Sequence, residues 1–583
     1  MKRRQVWLWM LVISVLVVGA QVNFAQSTPL EPKQPGKQTT PAKLSARPTV
    51  SADEVADSVI GPELKGIIIV KSVAEVNRQG APITSGIVVH DIPLLSEPDF
   101  QSSIASFIGK KITTKTVKQL QQEIILYCRH KNRPVVDLLM PEQVLDSGVL
   151  QLVFIEGKLG KVTVQHEGKT QWFSNQLILS DVHVVPGAPI DSQQLLADLD
   201  WLNRNPFREV DAMFKQGEKA GETDLALTLR DRFPVRVYAG YQDTGTKYTG
   251  ESELVSGLNW GNAFGFDHQL GYQYTTDLAF NRLQAHSASY QIPLPWQHMV
   301  TFSGSYVEVN PELPSAFTSR GTTETLGMRY AIPLTSIEKF KHELTFGFDY
   351  KETDNNFLFG GTSVIRSKPV ILQLQAGYSG TLPDSFGQTS FSGEFYFSPG
   401  DVMGKNNSSE FSALRTNATA QYFYGRLSGE RLTRLPWDFS WIARAQGQFA
   451  SERLLPSEQL GLGGNATVRG YEEHQANGDN GWYVSNELRT PPVSIGKLLG
   501  QGRLADQLQF LAFFDYGEVN TKSPVTELSN AELMSFGSGV RYTINPYLSV
   551  RCDYGWQLKK PDARIAVPGQ SSSRMHLAAV VSF

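Results

Sequence analysis

The chain has 583 residues, of which 54 are Lys or Arg and 57 are Asp or Glu, for a net charge of −3. Its length exceeds the roughly 100–200 residues of a single domain, and its charge gives no reason to expect a nucleic-acid partner, which needs a strongly basic face. The 50 Gly, 31 Phe and 20 Tyr residues fit many strands, tight turns and aromatic girdles, a composition that membrane β-barrels share with soluble multidomain β proteins.

The start of the sequence predicts an exported protein. Three basic residues at positions 2–4 precede an apolar run at residues 6–19, and small residues follow at Ala20 and Ala25. This pattern is typical of a signal peptide over residues 1–25, with cleavage after either alanine. An anchor helix is the alternative, but the run is too short to span a bilayer comfortably. No later apolar stretch reaches the roughly 18 residues of a membrane helix, so any membrane span must be β.

Residues 26–63 are predicted to form a Pro-rich linker. The segment is rich in Pro, Thr, Lys and Gln and has few large apolar residues, so most of it cannot bury enough surface to fold. Residues 51–59 fit one short helix within it. The prolines that define the linker are Pro29, Pro32, Pro35, Pro41 and Pro48.

Two tandem copies of a small α/β unit follow, at residues 64–157 and 158–231. Each copy shows the order strand, helix, helix, strand, strand, and Asp191 or Ser192 is expected to cap the longer helix of the second copy. Neither copy contains a catalytic constellation. The apolar residues at helical spacing are Val117, Leu120, Ile124 and Tyr127 in the first copy and Leu195, Leu199 and Leu202 in the second.

No motif predicts an enzyme, a cofactor or a metal site. Residues 168–170 end like a phosphate-binding loop, but Thr163 stands where that motif requires Gly. Residues 461–466 give a faint dinucleotide fingerprint without the strand and helix that should flank it. The ten histidines are scattered and form no H-E-x-x-H motif. We therefore expect no cofactor, no metal and no use of ATP.

Beyond residue 232 the helical period disappears. The remaining 583 − 232 + 1 = 352 residues form alternating segments, with aliphatic and aromatic residues on one face and Gln, Thr, Gly, Arg and Asp on the other. This division predicts a lipid-facing outside and a wet lumen. The expected fold class is mainly β, with a transmembrane antiparallel β-barrel at residues 232–583 preceded by two α/β domains. One example is Leu344, Phe346, Phe348 and Tyr350 opposite Thr345, Gly347 and Asp349.

The last alternating segment ends on an aromatic residue, Phe583. Its apolar face also carries Met575, Leu577, Ala579 and Val581. A last strand of this kind resembles the signal by which bacterial outer-membrane barrels are recognised for insertion. Together with the predicted signal peptide, it favours a barrel in the outer membrane.

Several motifs resemble those of a known family. Residues 205–210 (NPFREV) and 221–225 (GETDL) resemble the second POTRA domain of two-partner secretion transporters. Residues 468–471 (VRGY) match the loop motif of the wider Omp85 superfamily, and residues 513–517 (FFDYG) match its F-x-D-x-G strand motif. Each motif alone is modest, but their joint occurrence in the family's order, over residues 64–583, is specific.

The alternation around Asp515 predicts where its side chain points. Apolar residues flank it on the lipid side, so Asp515 should face the lumen beside Phe513 and Gly517. A charge inside a narrow barrel needs a partner, and Arg469 lies on a Gly-rich connection that can fold back inside. The resemblance implies that this loop enters the barrel and that Arg469 pairs with Asp515. A surface loop with an unpaired Arg is the alternative. The loop residues expected to form this site are Val468, Arg469, Gly470 and Tyr471.

The resemblance also implies a function. It predicts a sixteen-stranded barrel, which allots 352/16 = 22 residues to each strand and its connection. It predicts a transporter in the outer membrane with its POTRA domains in the periplasm. These domains would bind an unfolded secreted partner, a haemolysin- or adhesin-like exoprotein, by strand addition to an open sheet edge. The partner would then thread through the barrel, and its folding outside would make the passage irreversible. We expect a monomer that contacts outer-membrane lipid and no nucleic acid.

Three residues of the second α/β copy, Asn205, Pro206 and Arg208, are expected to set the POTRA geometry or to contact the client. Asn205-Pro206 is equally consistent with an ordinary helix stop. The identity of the client and a role of the linker helix as a plug stay open at this level.

Two other functions fit parts of the sequence. An assembly factor that inserts other barrels shares the superfamily motifs but usually carries a longer POTRA array. A passive porin would lack the tandem repeats, and a nutrient receptor would show a plug domain.

Overall fold

A computed structural model describes residues 57–583, except residues 169, 220, 314–316, 360–361, 501–503 and 526. For residues 317–318, 355–359 and 362–366 it describes the backbone alone. The predicted signal peptide, the linker up to residue 56 and most of the short helix predicted at residues 51–59 lie outside the described residues. The chain divides between Phe233 and Pro234 into two units.

The first α/β domain is a four-stranded sheet covered by two helices. The sheet order is β3-β2-β6-β5, with β2 parallel to β3 and β6, and β5 antiparallel to β6. Side chains from the sheet and both helices bury one apolar core. The elements are β1 (Val59–Glu63), β2 (Gly66–Val70), β3 (Gly86–Val89), α1 (Pro98–Ile104), β4 (Lys111–Thr113), α2 (Thr114–His130), β5 (Val136–Leu139) and β6 (Val149–Glu156), with single 3-10 turns at Val73–Glu75, Pro93–Leu95 and Ala105–Phe107.

Two strands of this domain differ from the sequence-based expectation. The strand β1 lies at the end of the segment predicted as linker, and it pairs antiparallel with β4. The strand β2, at the centre of the sheet, was not predicted because its run Ile67-Ile68-Ile69-Val70 is continuously apolar and does not alternate. Such a run is typical of a parallel strand buried on both faces.

The second α/β domain is a three-stranded sheet in the order β7-β9-β8, with β7 parallel to β9 and β8 antiparallel to it. Asp191 caps the longer helix by accepting hydrogen bonds from the backbone N–H groups of Gln193 and Gln194, and this satisfies two donors that the first turn leaves without a helical partner. The elements are β7 (Lys158–His166), α3 (Asn175–Ser180), α4 (Ser192–Leu202), β8 (Arg208–Gln216) and β9 (Glu222–Asp231).

The second unit is a closed antiparallel barrel. Seventeen strand segments form its wall. Two of them, β17 and β18, pair with successive parts of β16 and together make one interrupted strand, so the barrel has sixteen strands. The first and last strands pair from Tyr238 with Ser582 to Gln242 with Ala578, which closes the barrel and confirms the predicted fold class. The first eight segments are β10 (Val235–Gln242), β11 (Glu253–Ala263), β12 (His268–Asp277), β13 (Leu283–Pro293), β14 (Met299–Val309), β15 (Phe317–Pro333), β16 (Lys341–Phe359) and β17 (Thr362–Ser367). The remaining wall segments are β18 (Val370–Pro383), β19 (Gly387–Ser398), β20 (Tyr422–Arg434), β21 (Ser440–Ala450), β24 (Asn480–Arg489), β25 (Asp506–Asn520), β26 (Asn530–Ile544), β27 (Leu548–Gln557) and β28 (Ser573–Ser582).

The two ends of the barrel carry different connections. At the end where β10 begins, most strands are joined by short turns, such as residues 264–267 and 545–547. At the other end the connections include the long segments 399–421, 451–479 and 558–572. Outer-membrane barrels have short periplasmic turns and longer extracellular loops, so the second end has the character of the cell-surface end. The connections at this second end contain α5 (Ser408–Leu414), β22 (Leu460–Leu462), β23 (Ala476–Gly478) and a 3-10 turn at Pro456–Glu458. Two further elements, α6 (Ile495–Leu498) and a 3-10 turn at Pro436–Asp438, lie in connections at the end where β10 begins.

The strands divide their side chains between two environments. On β16 the apolar Phe346 and Phe348 are exposed on the outside, whereas Asp349 is buried. On β15 Leu326 is exposed on the same outer face. Among the described residues, no helix is both long enough and apolar enough to cross a membrane.

This division predicts opposite effects of a charge on the two faces of β15. Met328→Arg places a charge on the lipid face between Leu326 and Tyr330 and should destabilise the barrel by about 2–4 kcal/mol. Thr325→Arg, on the other face, should cost much less. Urea unfolding of the protein in lipid vesicles measures both, and equal costs would contradict the assignment of the faces.

Candidate functional site

The connection between β21 and β24, residues 451–479, folds against the polar face of the barrel wall. Its two limbs pair as a short hairpin of β22 and β23, with Leu460 opposite Gly478 and Leu462 opposite Ala476. The structure therefore places the predicted loop motif against the inner wall and not on the surface. Apolar residues of the loop and of the wall form one buried cluster, which contains Leu460, Leu462, Val468, Tyr471 and Ala476 from the connection and Tyr483, Val519 and Leu533 from the wall.

Arg469 and Asp515 are joined by three hydrogen bonds. The Nε of Arg469 donates to Oδ2 of Asp515 at 2.7 Å, and its Nη2 donates to Oδ1 at 2.9 Å. The backbone N–H of Arg469 donates to Oδ2 as well, at 3.1 Å. Asp515 is 0% exposed and Arg469 is 3% exposed. The carboxylate thus holds both the side chain and the main chain of the loop, in the bidentate geometry that makes Arg–carboxylate pairs strong.

The wall around Asp515 is shaped to admit the guanidinium. Small residues, Ser485 and Ser535, stand opposite Asp515 on the two neighbouring strands, and Ser485 accepts a hydrogen bond from Nη2 of Arg469 at 3.2 Å. The Arg469 guanidinium carbon lies 3.6 Å from the centre of the Phe513 ring. The F-x-D-x-G motif therefore supplies both a carboxylate and an aromatic face to the same cation.

A wider set of wall charges surrounds this pair. Glu487 Oε1 accepts a hydrogen bond from Arg469 Nη1 at 2.7 Å, and an oxygen of Asp553 lies 3.6 Å from the same nitrogen. Glu487 also pairs with Arg489 at 2.6 Å, and Asp553 pairs with Arg541 at 2.6 Å. Each buried carboxylate thus has at least one arginine partner, which offsets the cost of removing these charges from water.

Glycine is required where the loop and wall backbones touch. Gly470 has φ +90°, a conformation that L side chains rarely adopt, and a Cβ there would lie 2.9 Å from the Gly555 carbonyl carbon. In turn, a Cβ at Gly555 would lie 2.7 Å from the Gly470 nitrogen. A Cβ at Gly517 would lie 2.9 Å from Leu462 Cδ1. The last glycine of the strand motif therefore leaves room for the hairpin of the loop.

The residues beside Arg469 have their own partners on the wall. The Gly470 N–H donates to Nε2 of His576 at 3.1 Å. The hydroxyl of Tyr471, which has no exposed surface, accepts a hydrogen bond from the Met534 N–H at 3.1 Å and lies 2.8 Å from the Met534 carbonyl oxygen. The four-residue loop motif is thus fixed by its own backbone and side chains together.

Sequence reasoning named Asp515 but missed Glu487, Asp553, His576 and Gly555. For Asp553 and Gly555 a signal was present, because both alternate with apolar residues on β27. For Glu487 the same period-two pattern holds on β24. The pattern does not contain the register between strands. That register brings Glu487 of β24, Asp515 of β25 and Asp553 of β27 to one place.

The other predicted residues, Asn205, Pro206 and Arg208, lie in the second α/β domain. Asn205 Oδ1 accepts from the Phe207 N–H at 3.0 Å, and Arg208 Nε donates to the carbonyl of Leu202, the last residue of α4, at 2.8 Å. Asn205 is 2% exposed and Arg208 is 6% exposed. The burial of Asn205 and Arg208 fits an internal role in ending α4 and turning the chain into β8, whereas Pro206 between them is exposed.

A family model supports the relation that the motifs suggest. The model of the haemolysin secretion/activation protein ShlB/FhaC/HecB matches residues 221–542, which is 542 − 221 + 1 = 322 of the 583 residues.

Curated relatives match over most of their length at low identity. The chain is 24% identical over 465 residues to the heme/hemopexin transporter protein HuxB of Haemophilus influenzae, covering 76% of this chain and 78% of that protein. It is 22% identical over 477 residues to the outer membrane transporter CdiB of Dickeya dadantii, covering 80% and 81%. It is 24% identical over 426 residues to the hemolysin transporter protein ShlB of Serratia marcescens, covering 71% and 72%.

Solved structures share the whole fold. CdiB from Escherichia coli superimposes with a TM-score of 0.72 at 18% identity, covering 94% of both chains. CdiB from Acinetobacter baumannii does so with a TM-score of 0.62 at 17% identity, covering 93% of this chain and 94% of the other. The α/β domains and the barrel thus occur together in a known architecture.

The Arg469–Asp515 contact predicts a measurable loss of stability. Asp515→Asn removes the charge but keeps the shape, and breaking a buried pair in this way costs about 3–5 kcal/mol. Because Glu487 still pairs with Arg469 in this variant, we expect a loss of unfolding free energy at the low end of that range. Urea unfolding of the purified barrel measures the change.

The matched control is Asp562→Asn, because that carboxylate is exposed in an outer connection and pairs with its near neighbour Arg564. It should unfold like the unmodified protein. Equal unfolding midpoints for Asp515→Asn and Asp562→Asn would show that the buried contact contributes nothing.

Proposed function

The chain belongs to the haemolysin secretion/activation protein family ShlB/FhaC/HecB, and we propose that it captures one unfolded exoprotein on its α/β domains and passes it through the barrel. It is an outer-membrane transporter of the two-partner secretion type, as its relatives and the CdiB structures indicate. Three statements are part of our proposal. The two α/β domains correspond to POTRA domains and capture the client, the client is a secreted exoprotein, and the transporter is a monomer. The family is one of transporters, so catalysis has no part in this scheme.

The observation that carries the capture step is the open edge of β8. Among the residues that the structure describes, this strand pairs with one other strand, β9. The Val210 N–H donates to Oδ1 of Asn203 at 2.7 Å, and Asn203 Nδ2 donates to the Val210 carbonyl at 3.0 Å. The main chain at Val210 therefore points away from β9, and Asn203 takes the place of a further strand there.

The same edge continues beyond the reach of Asn203. Main-chain groups point to alternate sides along a strand, so Ala212, Phe214 and Gln216 present theirs to the open side. Met213, Lys215 and Gln216 are exposed. An extended client segment would add here as a fourth strand, and its main-chain hydrogen bonds would require little of its sequence. In the first domain, both edge strands, β3 and β5, have only four residues.

The barrel supports passage by its closure and its inner loop. Pairing of β10 with β28 closes the wall within one chain, so the first and last strands need no second copy to cover their edges along this seam, which supports a monomer. The connection 451–479 lies against the inner wall, and Arg469 fixes its position through Asp515. We propose that this contact sets where the loop rests while the client, a haemolysin- or adhesin-like chain, moves in extended form. Folding of the client outside would supply the direction without ATP.

An assembly factor for other barrels is not favoured, because the family and the relatives named above are secretion and transport proteins. A porin function does not account for the two domains that precede the barrel.

Deletion of the gene tests the proposal as a whole. We expect one large exoprotein to disappear from the culture medium while the outer-membrane proteins stay unchanged, and quantitative proteomics of both fractions measures this. Restoring the gene should restore that one protein. Loss of many barrels from the outer membrane would instead establish an assembly factor and contradict the proposal.

Binding at the β8 edge can be tested with one substitution. Gln216→Pro removes an N–H group that points to the open side, and edge strands tolerate proline. Loss of one hydrogen bond is worth about 0.5–1.5 kcal/mol, so the Kd for an unfolded client segment should rise by about 2–12-fold. Calorimetry with the purified full chain measures it. Gln216→Ala keeps the N–H and is the matched control, so equal affinity of the two variants would exclude strand addition at this edge.

A further inference from the structure

The inserted connection is held by a second buried charge cluster, at the point where it rejoins the wall. Asp479 is the residue before β24 and is 0% exposed. Arg415, from the outer connection 399–421, donates to both of its oxygens, at 2.5 and 3.1 Å. We call residues 453–459 and 479 the root of the connection, and residues 468–471 its tip.

Asp479 also binds backbone groups of two connections. Its Oδ1 accepts from the Leu454 N–H at 2.9 Å, on the other limb of the root, and its Oδ2 accepts from the Lys522 N–H at 2.8 Å, in the connection 521–529. One carboxylate therefore joins three outer connections. Arg453, which is 3% exposed, adds a hydrogen bond of 3.0 Å to the Lys522 carbonyl.

The root is packed against a different part of the wall from the tip. Glu458, which is 1% exposed, accepts from the Tyr424 hydroxyl at 2.7 Å and pairs with Lys351 at 2.8 Å. These partners lie on β20 and β16, whereas Arg469 is bound by β24 and β25. Leu454 and Leu455 of the root are buried in an apolar cluster with Phe411, Ala418, Tyr422 and Tyr424.

Two glycines separate the root from the tip. Gly463 has φ +102° and Gly464 has φ +92°, so the chain changes direction at a point that other residues rarely tolerate. The tip beyond them is held by Arg469 and its wall carboxylates, by hydrogen bonds of Gly470 and Tyr471, and by the apolar cluster that contains Val468 and Tyr471. The root is held by a separate set of contacts, the Asp479 hydrogen bonds and a second apolar cluster, which loss of the Arg469 contacts leaves in place.

We propose that Asp479 is the pivot of the inserted connection. It keeps the root bound to the outer connections when the tip leaves Asp515, so that the tip swings away from the wall without the whole connection leaving the barrel. This inference rests on the proposed passage of a client through the lumen, because only then must the tip move. Asp479 acts through the root and is a positioning residue for transport.

The test compares release of the tip with release of the root. The full chain is placed in the outer membrane of intact cells, trypsin is added outside, and mass spectrometry measures cleavage after Arg453. Arg469→Ala should leave this bond protected, because the root stays packed. Asp479→Asn should lose that protection, and the double variant should lose it equally. Single-channel conductance should rise in Arg469→Ala and become unstable in the double variant.

The matched control is Glu452→Gln, an exposed carboxylate next to the root, which should leave cleavage and conductance unchanged. Heat-dependent mobility on gels shows that each variant has assembled. If Asp479→Asn fails to assemble, Arg415→Lys takes its place, since it keeps the charge but loses the bidentate contact, and it should give partial cleavage.

Protection of the Arg453 bond in Asp479→Asn, or in Arg415→Lys where that variant is used, would overturn the pivot. Cleavage in Arg469→Ala as complete as in Asp479→Asn would overturn it as well. Both measurements need no client, so failure of the pivot is distinguishable from failure of the secretion proposal, which gene deletion tests.

Discussion

A guanidinium enclosed in a closed barrel is stable only where the wall neutralises it, and this constraint organises the inner surface of the protein. Arg469 is almost fully buried, and its charge is balanced by Asp515 and Glu487 at hydrogen-bond distance. Glu487 also pairs with Arg489, and the neighbouring Asp553 pairs with Arg541. Removing a single member leaves its partner buried with less compensation, and a uniformly apolar lumen could not hold the loop in one defined position by the same means.

The same contact explains the small residues near it. Serines opposite Asp515 leave space for the guanidinium. The glycine pair Gly470 and Gly555 lets the two backbones approach more closely than any side chain would permit. The loop motif and the strand motif therefore pack against each other, and the residue types in each are explained by contacts with the other.

The two units of the chain treat strand edges in opposite ways. The barrel pairs its first strand with its last, so neither strand has an open edge along that seam. The second α/β domain keeps a nine-residue edge strand with a single neighbour. An open edge is a hazard in a barrel, where it invites uncontrolled pairing, but it is useful in a domain that binds extended chains. The inner connection then combines a root and a tip that separate sets of contacts hold against the wall.

The sequence by itself determined those features that depend on local periodicity. Period-two alternation placed Asp515 on the lumen face, and helical spacing with a capping residue located α4. The sequence did not determine β2, because a continuous apolar run does not distinguish a buried strand from a helix. The burial of Arg208 was also not apparent, since it depends on where α4 ends.

Apart from the Arg469–Asp515 pair, which the family resemblance implied, tertiary structure alone decided which charges meet. Glu487, Asp515 and Asp553 lie on three strands, and only the register of those strands brings them to Arg469. Arg415 and Asp479 both lie in irregular connections, where no period exists to predict a direction. Local patterns fix the face on which a side chain lies, whereas its partner across the barrel is fixed by strand pairing between residues far apart in sequence, and no single segment contains that information.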